Sequence, residues 1–245
     1  MVIGFIGSGS MAAAMARGWA GESEGMLFSD AGSGRAKALA EEVGGEALGN
    51  SQVAERADLV VLAVKPAKLA EVAPELQAAR RVVSILAAVP VQRVADAFPG
   101  AEVLRLMPNV GVEVRKGVLC VAGEASEATR AKLELLGRVV DLPDEDFDEA
   151  TAVMSCAPAY LALAVEALAD AGAAAGLDAE LARELVVETT AGTAELLRVR
   201  HPADVRRAVA SPGGSTEAGL DALDREGARE AFQAAVAASL ERMRR

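Results

Sequence analysis

Met1-Val2-Ile3-Gly4-Phe5-Ile6-Gly7-Ser8-Gly9-Ser10-Met11-Ala12 opens the chain, and an alanine-rich run to Gly18 follows it. Val2 to Ile6 is a short apolar run that reads as a buried strand. It leads straight into Gly7-Ser8-Gly9-Ser10-Met11-Ala12, the G-x-G-x-x-A form of a dinucleotide-binding turn. Gly7 permits a tight turn out of the strand. Gly9 carries no side chain, so a pyrophosphate can approach the backbone beside Ser8, Ser10 and Met11. Ala12 is small enough for the helix to pack on the sheet. The unpaired N–H groups at the helix start then face the diphosphate. Glycine also makes ordinary turns; the strand before and the helix after carry the nucleotide-binding reading.

The 245 residues are 52% hydrophobic but only 3% aromatic, so the core must be built from Ala, Val and Leu. That length suits one large or two ordinary domains. A net charge of −11 offers no basic face, so no nucleic-acid partner is expected. It does not exclude an anionic cofactor, which backbone amides can hold locally. There is no charged segment leading into an apolar one, and no run of about 18 apolar residues. Neither a signal peptide nor a membrane span is therefore expected, and a cytoplasmic location is. Cys120 and Cys156 have no metal-ligand spacing, so neither a metal nor a disulfide framework is expected. His201 precedes Pro202 and reads as a solvated turn histidine rather than part of a Ser-His-Asp triad.

The first part of the chain alternates. Strand candidates are Val2–Ile6, Met26–Ser29, Leu59–Val64, Val82–Leu86, Val103–Leu106, Val118–Val121 and Val139–Leu142. Helix candidates between them include Ser33–Val43, Lys68–Ala78 and Ser126–Gly137. This alternation predicts an α/β fold, an N-terminal Rossmann domain with a doubly wound, mostly parallel sheet. Pro143-Asp144-Glu145-Asp146 breaks it. Beyond, Asp148–Ala175, Ala179–Arg198, Ala203–Ala210, Thr216–Arg225 and Ala228–Met243 read as helices by their three- and four-residue apolar spacing. The boundary falls near 144–150: a dinucleotide-binding domain over 1–146, then an all-helical domain over 147–245. The alanine-rich second domain has more apolar positions than it can cover alone, which predicts an obligate homodimer through it.

Several strand ends carry chemistry. Phe28-Ser29-Asp30 closes the second strand about twenty residues after the glycine turn. Asp30 there can accept hydrogen bonds from the adenosine ribose and would repel a 2′-phosphate, which favours NADH over NADPH. Arg35, about one helical turn further on, offsets part of that; alternatively Asp30 only caps the following segment. Leu62-Ala63-Val64-Lys65-Pro66 and Arg105-Leu106-Met107-Pro108-Asn109 end further strands at the sheet's carboxyl edge, where ligands of open α/β sheets bind. Lys65 reads equally as a ligand or a surface lysine. Asn109 can offer an amide to a nicotinamide or substrate, or can simply sit in a turn. In the helical part, Ser211-Pro212-Gly213-Gly214-Ser215-Thr216 introduces a helix. Two glycines, two hydroxyls and a helix N-terminus make a cradle suited to a carboxylate. The alternative is a plain helix start with Ser215 or Thr216 as N-cap.

Taken together and in this order, these motifs resemble those of pyrroline-5-carboxylate reductase, along with Pro158-Ala159-Tyr160 and Glu166-Ala167-Leu168-Ala169-Asp170-Ala171-Gly172. The resemblance covers essentially the whole chain, and Ser211–Thr216 is its most specific piece. It implies a Rossmann domain, and a helical domain that interlocks with a partner subunit in a homodimer or larger homo-oligomer. It implies reduction of Δ1-pyrroline-5-carboxylate to L-proline with NADH or NADPH. By the resemblance, Asn50 sits near the adenosine ribose, Ala63, Lys65 and Pro66 run along the cofactor, and Asn109 lies near the nicotinamide. Ser215 and Thr216 hold the substrate carboxylate. Before Pro158 the family usually has Ser-Gly-Ser-Gly, where this chain has Met154-Ser155-Cys156-Ala157; Ala88 likewise replaces a usual glycine.

Two other readings compete. A related imine reductase or β-hydroxyacid dehydrogenase shares the domain plan. The latter needs a catalytic lysine on its interdomain helix, yet Lys37, Lys65, Lys68, Lys116 and Lys132 all precede the helical domain. A non-catalytic nucleotide-binding paralogue is the second, motivated by the altered Met154–Ala157 run.

Overall fold

The computed structural model describes residues 1–244. Its strands are β1 Val2–Ile6, β2 Gly25–Ser29, β3 Glu46–Ala47, β4 Leu59–Leu62, β5 Arg81–Ser84, β6 Glu102–Pro108, β7 Gly117–Ala122 and β8 Gly137–Asp141. They form one sheet in the order β3-β2-β1-β4-β5-β6-β7-β8. All neighbours are parallel except β6 and β7. The order reverses direction at β1, so the glycine turn leaves the sheet beside the switch point where such folds bind ligands.

Both faces of the sheet are covered, because successive side chains of a strand point to opposite sides. Ile3 and Phe5 enter one apolar cluster with α1 (Ser10–Trp19), α2 (Arg35–Val43) and α6 (Glu127–Glu134). Ile6, Val60 and Leu62 enter the other with α3 (Asn50–Arg56), α4 (Leu69–Val72) and α5 (Val91–Ala97). The few aromatics gather on the first side: Phe5 stacks on Phe28 at 5.1 Å and tilts against Trp19 at 6.0 Å. The helix expected over Lys68–Ala78 is instead α4 between two 3₁₀ turns, Pro66–Lys68 and Ala73–Leu76. Pro74 explains the interruption, since it lacks an N–H and clashes with the preceding turn.

The remaining helices are α7 Phe147–Met154, α8 Ala157–Ala174, α9 Ala179–Leu197, α10 Pro202–Val209, α11 Ser215–Arg225 and α12 Ala228–Met243. One helix over Asp148–Ala175 was expected, but it breaks after Met154. The Ser155 and Cys156 N–H groups both turn back to the Thr151 carbonyl, at 3.0 and 3.2 Å. Pro158 accounts for the break, because its ring clashes with a helical carbonyl four residues earlier, that of Met154.

The chain divides into two compact units. One is Met1–Cys156 with the last residues from Met243 on; the other is Ala157–Arg242. Within the second, α8 packs on α9 and the Tyr160 hydroxyl meets the Ser239 hydroxyl at 2.5 Å. Ala182 is the one apolar residue buried there among those described. Leu161 and Leu163 are 58% and 64% exposed although they lie on opposite sides of α8. Asp144–Ala174 is long and apolar enough to cross a bilayer by length and composition, with mean hydropathy 1.6 over its best window. That differs from the expectation of no such segment. The apolar character comes from alanines, leucines and valines interspersed with Thr, Ser, Pro and Tyr, not from one unbroken run.

Candidate functional site

The glycine turn between β1 and α1 is held by its backbone. Gly7 has φ +98°, and a Cβ there would lie 2.6 Å from the Ala63 carbonyl oxygen, so no larger residue fits. Its N–H donates to the Ser29 carbonyl at 3.1 Å. Gly9 is the N-cap of α1 in an extended conformation, with no side chain capping the helix and no acidic residue in the first turn. A Cβ at Gly9 would meet nothing within 4 Å. That direction is open, and the first N–H groups of α1 have no partner within the helix. An anion suits such a position through both the free donors and the helix dipole.

A cleft of about 620 Å³ runs from this turn along the carboxyl edge of the sheet. Of the residues singled out by sequence, it gathers Gly7, Ser8, Gly9, Asp30, Asn50, Ala63 and Lys65. Ser10 and Met11 line a second cleft across the turn, which shares Ser8, Gly9 and Arg35 with the first. Pro66 lines neither and instead starts the 3₁₀ turn after β4. Lys68 also lines the first cleft, paired with Glu71 at 2.5 Å; nothing in the sequence marked it.

Asp30 lies at the cleft with its carboxylate engaged by its own loop. It accepts the N–H groups of Gly32, Ser33 and Ala36, at 2.8, 3.2 and 2.9 Å, and the Ser33 hydroxyl at 2.8 Å. These donors, the Ala36 amide foremost, hold it below the usual carboxylate range. A carboxylate has about four lone-pair sites, so little capacity remains for ribose hydroxyls. Arg35 reaches Ser33 Oγ through Nε at 3.1 Å, and no ion pair to it is formed among the described residues.

Asn109 directly follows β6 and is tied on both sides of its amide: Oδ1 accepts the Val118 N–H at 3.2 Å and Nδ2 donates to the Met154 carbonyl at 3.3 Å. Arg105 stands apart from the clefts. Buried on β6, it pairs with Asp144 at 2.9 Å and lies 4.3 Å over the Phe147 ring. Ala88, after β5, adopts φ +55°, a left-handed conformation that favours glycine.

In the second unit, Ser211-Pro212-Gly213-Gly214 forms a turn closed by the Gly214 N–H on the Ser211 carbonyl at 2.9 Å. Pro212 followed by Gly213 at φ +72° has the signature of a type II turn. At Gly214 a Cβ would meet the Ser211 oxygen at 2.9 Å. Turn geometry alone thus requires both glycines, which weakens the argument from their number to a carboxylate. The N-cap of α11 is Gly214, with no side-chain cap, so neither Ser215 nor Thr216 caps the helix. Both follow it as the first two helical residues, exposed, and neither hydroxyl has a hydrogen-bond partner among the described residues. The Gly213 N–H is taken by Glu217 Oε2 at 2.7 Å. His201 is itself an N-cap: Nδ1 accepts the Ala203 N–H at 3.2 Å at the start of α10.

Residues 144–245 match a family model described as pyrroline-5-carboxylate reductase dimerisation. Residues 2–88 match one described as NADP oxidoreductase, coenzyme F420-dependent. The pyrroline-5-carboxylate reductase of Synechocystis sp. is 38% identical over 204 residues, covering 79% of this chain and 76% of that protein. The solved 1-pyrroline-5-carboxylate reductase of Streptococcus pyogenes has a TM-score of 0.87 at 30% identity, over 99% of this chain and 98% of that one. Pyrroline carboxylate reductase of Plasmodium falciparum, solved with NADP bound, also has a TM-score of 0.87, over 99% and 97%. At 24% identity that likeness is one of fold.

Proposed function

The chain belongs to the pyrroline-5-carboxylate reductase family, and from that premise we infer which of its residues hold cofactor and substrate. It is an NAD(P)H-dependent oxidoreductase that reduces the C=N bond of Δ1-pyrroline-5-carboxylate to give L-proline, the last step of proline biosynthesis. The single observation that carries this is the 38% identity over three quarters of both chains.

The nicotinamide, when bound, supplies the hydride. A protonated imine is already electrophilic, so the protein's work is to hold the ring carbon in place and exclude water. Such positioning is worth about 7–11 kcal/mol in ideal cases. In our reading the Gly7–Met11 turn takes the pyrophosphate. What supports it is the open direction at Gly9 above an uncapped helix start. Asp30 and Asn50 lie on the adenosine side, and Ala63, Lys65 and Pro66 run along the cofactor. Ser215 and Thr216, presented by the Ser211–Gly214 turn, take the substrate carboxylate, and Asn109 sits beside the nicotinamide. Support for the carboxylate role is the pair of unengaged hydroxyls on a helix whose cap is glycine.

The saturated Asp30 carboxylate and the unpaired Arg35 in the same cleft remove the ground for an NADH preference. We expect NADPH to be used at least as well as NADH. The helical region serves homo-oligomerisation. We place the association at an obligate dimer that covers the apolar surface of α8, and the reaction in the cytoplasm. Proline formed by the purified chain, counted against NADH or NADPH oxidised, tests the activity. One proline per cofactor is expected. A folded chain that forms none with either cofactor would overturn it.

A further inference from the structure

A reciprocal pair of hydrogen bonds joins the end of β6 to the break between α7 and α8. Asn109 donates from its side chain to the Met154 carbonyl at 3.3 Å. Ser155 donates from its hydroxyl to the Pro108 carbonyl at 3.0 Å. Neighbouring residues on each side thus supply one donor and one acceptor. With Asn109 Oδ1 also held by the Val118 N–H, the amide plane is fixed from two directions. A side-chain amide has two N–H groups, so one on Nδ2 remains without a protein partner. Asn109 is only half-buried.

We propose that Ser155 is a positioning residue for the reduction: by holding Pro108 it sets the Asn109 backbone, and with it the direction of the free Asn109 N–H. The inference rests on the reading of Asn109 as the residue beside the nicotinamide. It also gives a role to the place where the Ser-Gly-Ser-Gly pattern is replaced, since glycine at 155 has no hydroxyl to donate. Without that bond the backbone that carries the Asn109 amide is held less firmly, so its bonds to Val118 and Met154 open more often and one orientation no longer dominates. Ser155 Oγ lies 3.5 Å from Met154 Sδ as its other neighbour, a weak acceptor, so the Pro108 carbonyl is its main partner.

The test uses the full chain with Ser155→Ala and Ser155→Thr, each alone and with Asn109→Ala. Ser155→Ala should lower kcat/KM for pyrroline-5-carboxylate roughly three- to tenfold, the scale of one neutral hydrogen bond, and leave NADPH affinity within about twofold. Ser155→Thr keeps the hydroxyl and should restore the rate. Without any cofactor, hydrogen exchange at the Val118 amide should quicken in Ser155→Ala and not in Ser155→Thr, because that amide is bonded to Asn109. In the double variant the loss should not exceed that of Asn109→Ala alone. Multiplying losses, or an unchanged rate in Ser155→Ala beside an impaired Asn109→Ala, would overturn the role of Ser155. Full activity in Asn109→Ala would instead overturn the role of Asn109, and the proposal with it. Should Asn109→Ala fail to fold, Asn109→Asp takes its place, since it keeps the acceptor for Val118.

Discussion

Two helices of this chain start in the same way, α1 after Gly9 and α11 after Gly214. Each has an extended glycine as N-cap, and no side chain closes its first N–H groups. Each follows a second glycine with positive φ, Gly7 at +98° and Gly213 at +72°. The settings differ. α1 buries Ala12, Ala14, Met15, Ala16, Gly18 and Trp19 in the first unit, whereas α11 buries none of its residues. The Gly7 turn is packed against the Ala63 backbone, while a Cβ at Gly213 would meet nothing within 4 Å. On the proposed site assignment, the difference means that the pyrophosphate turn is built within one unit of one chain. The proposed carboxylate site sits on a helix none of whose residues the chain buries.

Substitutions at the glycine turn test the first half of that contrast and carry the largest effect. Gly7→Ala forces a Cβ to within 2.6 Å of a backbone oxygen at a left-handed φ. It should destabilise the first unit by about 2 kcal/mol or more, read by melting. Gly9→Val has room in the fold but fills the open direction. Its melting temperature should hold, while NADPH affinity by fluorescence titration falls more than about tenfold. Equal behaviour of the two variants would break the distinction between a packed glycine and an approach glycine.

The second half is tested by separating the partners. Leu168→Glu places a charge on a position of α8 that is 60% exposed in one chain. It should shift light scattering at micromolar protein toward the monomer and lower turnover more than about tenfold, with NADPH still bound. A wild-type chain that is a stable monomer would contradict the obligate dimer directly. The smallest effect is expected at Ala88→Gly. Relief of the left-handed alanine, offset by the freer unfolded chain, should stabilise by about 0.5–1 kcal/mol, a rise of roughly 1–4 °C in Tm.

The sheet was legible in the sequence because its strands carry short apolar runs; seven announce themselves this way, although no residue of β8 is buried and Arg105 interrupts β6, and only Glu46–Ala47 is too short to do so. The breaks within helices were legible in principle, since Pro74 and Pro158 mark them, but three- and four-residue apolar spacing runs across both. Helix starts were the weaker part. Ser and Thr lead at N-cap positions, so Ser215 and Thr216 draw attention away from Gly214, which occupies the N-cap position in an extended conformation and leaves the helix start without a side-chain cap. Asp30 was legible as an acidic strand end. That three amides and a hydroxyl already occupy it follows from the folded 30–36 loop, not from any sequence pattern. The Ser155–Pro108 bond joins residues 47 apart, and no local pattern encodes it.

Thr216→Ala is the most direct test of the account, because it removes one hydroxyl from the uncapped start of α11 and nothing from the glycine turn. Losing a hydrogen bond to a charged group costs about 1.5–3 kcal/mol, so kcat/KM for pyrroline-5-carboxylate should fall roughly ten- to a hundredfold. NADPH affinity should stay within about twofold. The melting temperature should hold too, since Gly214 rather than Thr216 is the N-cap. An unchanged kcat/KM in the folded variant, or a loss of NADPH affinity matching the loss of rate, would contradict the division of cofactor and substrate between two helix starts.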